Sequence, residues 1–184
     1  MFYTILSAVM AYIATNIDDM IINMLLFSSS KSKKDDTSIV LGKYLGIAGL
    51  MAISIAMAAG AQATIAQYVH LLGFVPVFLG IKSLRNNTAS DEDVAINGSF
   101  ILSTAAITIA SGGDNIGVYV PLFASFDISQ FAIVVIVFAF MTALWCALGK
   151  SLANMPAIKN TIKKYSNIIT PVVYITLGLY ILLF

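Results

Sequence analysis

Charged residues are scarce in this chain. Only 10% of its 184 residues are Asp, Glu, Lys or Arg, and 59% are apolar, whereas about a quarter of a soluble domain is usually charged. This scarcity excludes an ordinary soluble domain. The net charge of +1 also gives no reason to expect nucleic acid as a partner. The composition instead indicates a membrane protein in contact with lipid.

Cysteine and histidine are almost absent, with one residue of each. The single thiol, Cys146, can form neither an internal disulfide nor a cysteine-based zinc site.

A nucleotide-binding loop is missing as well. The tripeptide Gly149-Lys150-Ser151 resembles the end of such a loop, but Leu144 stands where its first glycine is required. We therefore expect no built-in ATPase, no enzyme activity and no resident cofactor.

Long apolar stretches are abundant, and six of them approach the roughly 20 residues that a helix needs to cross a bilayer. We place these spans at residues 2–27, 39–60, 67–84, 98–123, 129–149 and 166–184. Helix is expected throughout, because backbone groups in lipid must be satisfied within their own segment. The predicted fold class is an all-α polytopic membrane protein with six transmembrane helices.

The basic residues are distributed asymmetrically over these spans. All ten Lys and Arg residues lie in the first, third and fifth connectors or at the ends of adjoining spans, with Lys43 just inside the second span. Positive residues stay on the cytoplasmic side of a membrane. Both termini are therefore predicted to face outward.

An internal repeat divides the chain. A shift of 96 positions aligns residues 14–27 with residues 110–123 without a gap, so that Asp18 falls on Asp114. Two repeats of three spans each must insert in opposite directions, as in many transporters with a midplane site. The expected organisation is a first three-helix repeat at 1–85, a cytoplasmic linker at 86–97 and a second three-helix repeat at 98–184.

Three acids, Asp18, Asp19 and Asp114, lie near the middle of predicted spans. A central Asp costs roughly 2.5 to 3.5 kcal/mol on insertion scales, so its charge has to be offset. No Lys or Arg is predicted at comparable depth, which leaves a proton or a bound metal ion. Structural acids that hydrogen-bond to neighbouring helices are the alternative, but positions related by the repeat favour ion binding.

Backbone irregularity is predicted beside these acids. The tripeptide Ser111-Gly112-Gly113 continues a helix poorly and Pro121 removes a helical hydrogen bond, so the fourth span should be broken or kinked at both places. Unwound carbonyls beside carboxylates suit a cation. Asn115 is favoured as a ligand. Asn16 fits ligation and interhelical hydrogen bonding equally, and Asn23 favours hydrogen bonding.

Two further patterns leave alternatives open. Gly42 and Gly46 have the spacing that lets helices approach closely, either within the bundle or between the protomers of a homo-oligomer. Thioether and thiol groups could supply sulfur to a soft metal, although filling gaps in the core is the favoured interpretation. The side chains concerned are Met20, Met24, Met141 and Cys146.

Two segments carry a family resemblance. The tetrapeptide Asn16-Ile17-Asp18-Asp19 and the longer, more specific segment Gly112-Gly113-Asp114-Asn115-Ile116-Gly117-Val118-Tyr119-Val120-Pro121-Leu122-Phe123 resemble the cadmium resistance transporters (CadD-like) of the lysine-exporter superfamily. The resemblance covers essentially the whole chain. It implies a secondary transporter that exports cadmium or another divalent cation across a bacterial cytoplasmic (inner) membrane.

The resemblance also implies that the acidic motifs bind the transported ion. The predicted metal site consists of Asp18, Asp19, Asp114, Asn115 and Asn16. Its oxygen donors suit manganese, calcium or magnesium as well as cadmium, and the resemblance alone favours cadmium. Two alternatives stay open: export of a cationic organic solute such as a basic amino acid, and a membrane subunit that transports nothing.

Overall fold

The structure is a computed structural model that describes residues 1–17, 19–85, 99–153 and 155–183. Asp18 and the predicted linker 86–97 lie outside the described residues. Within the described ranges the regular structure is helical and no strand is present, which confirms the all-α prediction.

Eight α-helices run through the described ranges: α1 (Phe2–Asn16), α2 (Asp19–Ser28), α3 (Lys33–Ile65), α4 (Phe74–Arg85), α5 (Phe100–Ser111), α6 (Gly113–Ala124), α7 (Ile128–Leu152) and α8 (Pro156–Leu183). A 3-10 helix, Ala66–Gly73, joins α3 to α4. α3, with 33 residues, is longer than the second predicted span because its helix begins within the polar connector that precedes it.

Two of the predicted spans are broken into helix pairs. α1 and α2 are bent by 63° relative to each other. α5 ends at Ser111 and α6 begins at Gly113, so the break predicted at Gly112-Gly113 is confirmed. The second predicted break is absent, because α6 continues through Pro121. A single lost hydrogen bond does not end a helix whose neighbours pack tightly around it.

Membrane-crossing length is reached by two single helices, over Lys33–Ala63 and Gln130–Leu152. The bent pair α1 and α2 makes a third candidate. Other apolar helical segments in the described ranges, His70–Lys82, Phe100–Ser111 and Ile168–Leu183, are each shorter than a full crossing. Two or three full-length spans follow from these lengths, and six crossings stay a prediction.

Large apolar side chains cover much of the outside of the bundle. Leu102, Ile136 and Phe140 expose 70%, 70% and 68% of their surface. Many exposed large apolar side chains are unfavourable in water but match the hydrocarbon chains of a bilayer. The outside of the bundle therefore fits a membrane protein.

Gly42 and Gly46 pack inside the bundle. A Cβ atom placed on Gly42 would lie 2.5 Å from the carbonyl oxygen of Ile101, and one placed on Gly46 would lie 2.5 Å from Thr108 Cβ. Both neighbours belong to α5. The two glycines therefore serve a close contact between α3 and α5 within one chain, and they fix the position of Lys43 between them.

Aromatic rings fill the centre of the bundle near both breaks. The ring of Phe138 on α7 lies 4.9 Å from that of Tyr119 on α6 and 5.3 Å from that of Tyr12 on α1, between centroids. Tyr12 and Tyr119 are fully buried. This cluster holds α1, α6 and α7 together, so that the two breaks face each other.

Candidate functional site

The two helix breaks meet at the buried hydroxyl of Tyr119. Asn16 Nδ2 at the end of α1 donates to this hydroxyl at 3.1 Å, and Asn115 Nδ2 in the first turn of α6 donates to it at 2.9 Å. Thr15 Oγ1 lies 3.1 Å from the same hydroxyl and accepts a hydrogen bond from Asn115 Nδ2 at 3.2 Å. The structure thus brings together one predicted ligand from each repeat.

Asn16 has a buried oxygen without a donor. Its Nδ2 also donates to the carbonyl oxygen of Tyr12 at 3.0 Å and to Thr15 Oγ1 at 2.9 Å. Its Oδ1, by contrast, accepts no hydrogen bond from the described residues, although the residue is fully buried. An unsatisfied buried acceptor costs about 1 to 3 kcal/mol, a penalty that a bound cation would remove.

Asp19 begins α2 and is held by two partners. Its Oδ2 lies 2.6 Å from the ammonium of Lys43, and its Oδ1 accepts a hydrogen bond from Ser111 Oγ at 3.3 Å. Both charged side chains are buried, Lys43 at 1% exposure and Asp19 at 11%. The start of a helix also favours a negative charge. The Asp19 side chain is therefore held in place by Lys43 and Ser111.

The expectation that no basic group reaches the depth of the acids is wrong for Asp19. Lys43 belongs to α3, and its position in the sequence fixes the depth of its Cα atom but not that of its ammonium. A lysine side chain carries its charge on a flexible four-carbon stem. From α3 that stem reaches the beginning of α2.

Asp114, the second residue of α6, is half-buried and contacts neutral donors. Its Oδ2 accepts a hydrogen bond from the hydroxyl of Tyr174 on α8 at 2.7 Å. Its Oδ1 accepts one from the backbone N–H of Asn115 at 2.9 Å. These bonds orient the carboxylate at the N-terminal end of a helix, where negative charge is favoured.

The described donors form a mixed oxygen set. Among the described residues, no three His, Cys, Asp or Glu side chains lie close enough together to hold a metal ion. Carboxylates come from Asp19 and Asp114, and an amide oxygen without a donor comes from Asn16. Asp18, the remaining predicted acid, lies outside the described residues. A site built on these groups would bind a cation through carboxylate, amide and hydroxyl oxygens.

Sulfur atoms lie in the apolar packing. Met20 and Met141 belong to the main hydrophobic core, and Cys146 packs with Leu26 and Phe27. These contacts agree with the gap-filling interpretation of the sulfur side chains.

Sequence reasoning missed several residues that contact the predicted ligands. Lys43 had a detectable feature, since it is the one charged residue in the otherwise apolar second predicted span, 39–60. Tyr174 had none, because a tyrosine within an apolar span does not indicate which helix its hydroxyl will contact. Trp145 donates from Nε1 to the carbonyl oxygen of Asn16 at 2.7 Å. It is the chain's one tryptophan, which makes it a spectroscopic reporter of the site.

Comparison with protein families gives a match over most of the chain. The family model described as cadmium resistance transporter matches residues 12–184, a range that contains both helix breaks and all the site residues named above. No curated protein and no solved structure matches the chain.

Proposed function

The chain belongs to the cadmium resistance transporter family, and we propose that it exports divalent metal ions, cadmium foremost, across a bacterial cytoplasmic membrane. The transported ion would bind between the α1–α2 break and the α5–α6 break. Asp19 and Asp114 would supply charge and oxygen ligands, and Asn16 and Asn115 neutral amide oxygens. Asp18 is proposed as a further ligand on the sequence pattern alone.

One observation carries this proposal: two interrupted helices meet, and polar side chains at one break contact polar side chains at the other. Ser111 at the second break donates to Asp19 at the first, and Asn16 and Asn115 share the Tyr119 hydroxyl. Interrupted helices at membrane depth are tolerated where they line a cavity or a binding site. Acids at this depth are costly and usually functional.

The packing of helices supports an inverted repeat. Under the 96-residue shift, α1 and α2 correspond to α5 and α6, α3 to α7, and α4 to α8. α3 packs against α5 and α6, α7 packs against α1 and α2, and α4 packs against α8. Exchanging the two repeats turns the contacts of α3 into those of α7 and the contact of α4 with α8 into itself, as expected for a two-fold axis between them.

The proposed topology has six crossings with both termini outside. The broken pair α5 and α6 would cross as one span, and the apolar parts of α4 and α8 would complete the bundle. Proton antiport is the proposed driving force, because carboxylates exchange a proton for a cation. Labels on the two termini should react from the outside of intact cells, and reaction from the cytoplasm alone would refute this orientation.

Flux measurements in everted membrane vesicles test the function. We expect uptake of cadmium into the vesicles, which is export in the cell, with competition from other divalent ions and stimulation by a pH gradient. Export of a basic amino acid is the second candidate, because Asp19 already binds an ammonium group. Inhibition of cadmium uptake by lysine would favour that candidate, and absence of cadmium uptake would refute metal export.

A further inference from the structure

Lys43 places a positive charge directly on a proposed metal ligand. Its ammonium lies 2.6 Å from Asp19 Oδ2, and its side chain is 1% exposed. Gly42 and Gly46 bring this part of α3 against α5, whose last residue, Ser111, donates to the other oxygen of Asp19. The packing of α3 on α5 therefore holds the ammonium where a cation would bind.

Stability alone does not explain a pair of this kind. Replacing both residues of a buried ion pair with apolar residues of similar size often leaves protein stability unchanged or raises it, whereas removing only one partner lowers stability strongly. We propose that Lys43 is a specificity-determining residue, whose ammonium is a tethered cation that divalent ions displace from Asp19 and monovalent ions do not. The inference rests on the proposed function, since it takes Asp19 as a ligand of the transported metal.

Charge and tethering would set this selectivity. At equal distance a divalent ion attracts a carboxylate about twice as strongly as an ammonium does, whereas a sodium or potassium ion gains no more than the ammonium already present. The ammonium is also attached to the chain, which gives it a high effective concentration at Asp19. A free monovalent ion is attracted to Asp19 no more strongly than the ammonium and lacks its effective concentration, so it does not displace Lys43.

Asn23 offers a place for the displaced ammonium. It lies one helical turn after Asp19 on α2, and therefore on the same face of that helix. The residue is fully buried, and neither atom of its amide group has a hydrogen-bond partner among the described residues. We expect its Oδ1 to accept a hydrogen bond from Lys43 Nζ when a metal ion holds Asp19. The flexible lysine stem permits that movement.

Cadmium binding by the purified full-length chain in lipid nanodiscs tests the proposal. Equilibrium dialysis with radiolabelled cadmium gives the affinity, and Trp145 fluorescence gives an independent readout. Potassium is exchanged for N-methylglucamine at constant ionic strength and pH. We expect wild-type affinity to be insensitive to this exchange. Lys43→Gln should bind cadmium about tenfold more tightly and become sensitive to potassium, and Lys43→Arg should bind about tenfold more weakly.

Opposite changes in the Gln and Arg variants separate competition from a structural role, because a structural lysine would be rescued by Arg. Lys150→Gln is the matched control. It removes the same charge from an exposed pair with Asp36, and it should leave cadmium affinity unchanged. Wild-type affinity and no potassium sensitivity in Lys43→Gln would overturn the proposal.

The Asn23→Leu variant tests the second position of the ammonium. We expect weaker cadmium binding in this variant and no further weakening when it is combined with Lys43→Gln, since the double variant has no ammonium to accommodate. Equal effects of Asn23→Leu in both backgrounds would overturn this part. If Lys43→Gln does not fold, Lys43→Arg and Asn23→Leu test the proposal instead. Wild-type cadmium affinity in both of these variants would refute displacement of the Lys43 ammonium from Asp19. Failure of the wild type to bind cadmium would refute the proposed function itself.

Discussion

At the first helix break Asp19 pairs with a buried ammonium, whereas at the second break Asp114 accepts hydrogen bonds from a tyrosine hydroxyl and a backbone amide. The two acids occupy neighbouring positions in the repeat, each in the first turn of the helix that follows a break. Their partners come from different helices, α3 for Asp19 and α8 for Asp114. The same local motif is therefore supported in two ways.

Neither partner is repeated in the other half. The residue 96 positions after Lys43 is Ala139, and the residue 96 positions before Tyr174 is Phe78. At Asp19, a metal ion would have to displace the Lys43 ammonium. At Asp114, it would only have to share the carboxylate with the neutral donors named above, since a carboxylate oxygen can accept more than one contact. We therefore propose that the first break controls selectivity and that the second orients a ligand.

The largest effect is expected from loss of the ion pair between Asp19 and Lys43 at the first helix break. Asp19→Asn leaves the Lys43 ammonium buried without its counter-charge, which should cost about 3 to 5 kcal/mol. Adding Lys43→Gln should restore most of this loss, because the double variant buries no charge at this position. Thermal unfolding in detergent, followed by circular dichroism, measures both. Equal melting temperatures for Asp19→Asn and wild type would show that the pair does not form.

Removal of the charge at the second break should act on transport more than on folding. Asp114→Asn keeps the size of the side chain but deletes an anionic ligand, so cadmium flux in everted vesicles should fall on the order of 100-fold. Insertion should be unimpaired, because the variant removes a charge from the membrane. Asp36→Asn, outside the proposed site, is the matched control and should keep wild-type flux. Undiminished flux in Asp114→Asn would show that its carboxylate is not an essential ligand.

Loss of the Tyr174 hydroxyl, which orients Asp114, should have a smaller effect. Tyr174→Phe removes the hydrogen bond to Asp114 Oδ2, and groups that orient a metal ligand typically contribute about tenfold or more to metal affinity. We expect cadmium affinity to fall about tenfold, in contrast to the gain expected for Lys43→Gln. Dialysis of the two variants side by side measures this difference. Tyr68→Phe, which removes an exposed hydroxyl, should change nothing, and a gain of affinity in Tyr174→Phe would reverse the roles assigned to the two breaks.

Local sequence features predicted the second break and the residues around it. Gly112-Gly113 interrupts a helix because glycine is a poor helix former, and Asp114 and Asn115 are conspicuous in an apolar segment. The helix is not interrupted at Pro121, where α6 continues through the proline, so the break predicted there is absent. Local propensity is a weak guide wherever tertiary contacts dominate.

The partners of the acids could not be predicted in the same way. Lys43 and Asp19 are 24 residues apart, and Tyr174 and Asp114 are 60 residues apart. Contacts of this kind depend on which helices pack together, and neither hydropathy nor spacing within one helix encodes that choice. The Gly42 and Gly46 spacing predicted a close helix contact but not that α5 would be the partner.

The smallest effect is expected from the packing that positions Lys43. Gly46 and Gly60 lie on the same helix, but a Cβ on Gly46 would lie 2.5 Å from Thr108 Cβ, whereas one on Gly60 meets no atom within 4 Å. Gly46→Ala should destabilise the protein by about 1 kcal/mol, because overpacking outweighs the gain in helix propensity. Gly60→Ala has only that gain and should be neutral or stabilising in thermal unfolding.

Gly46→Ala should also act on Asp19 more than on Asp114. Moving α3 away from α5 shifts Lys43 relative to Asp19 and Ser111, whereas Asp114 and Tyr174, on α6 and α8, belong to neither of these helices. Potassium should therefore begin to compete with cadmium in Gly46→Ala but not in Gly60→Ala, when both are measured by dialysis at constant ionic strength. If the two alanine variants have the same stability and the same insensitivity to potassium, the packing of α3 on α5 does not hold Lys43 on Asp19. The difference between the two acids would then need another cause.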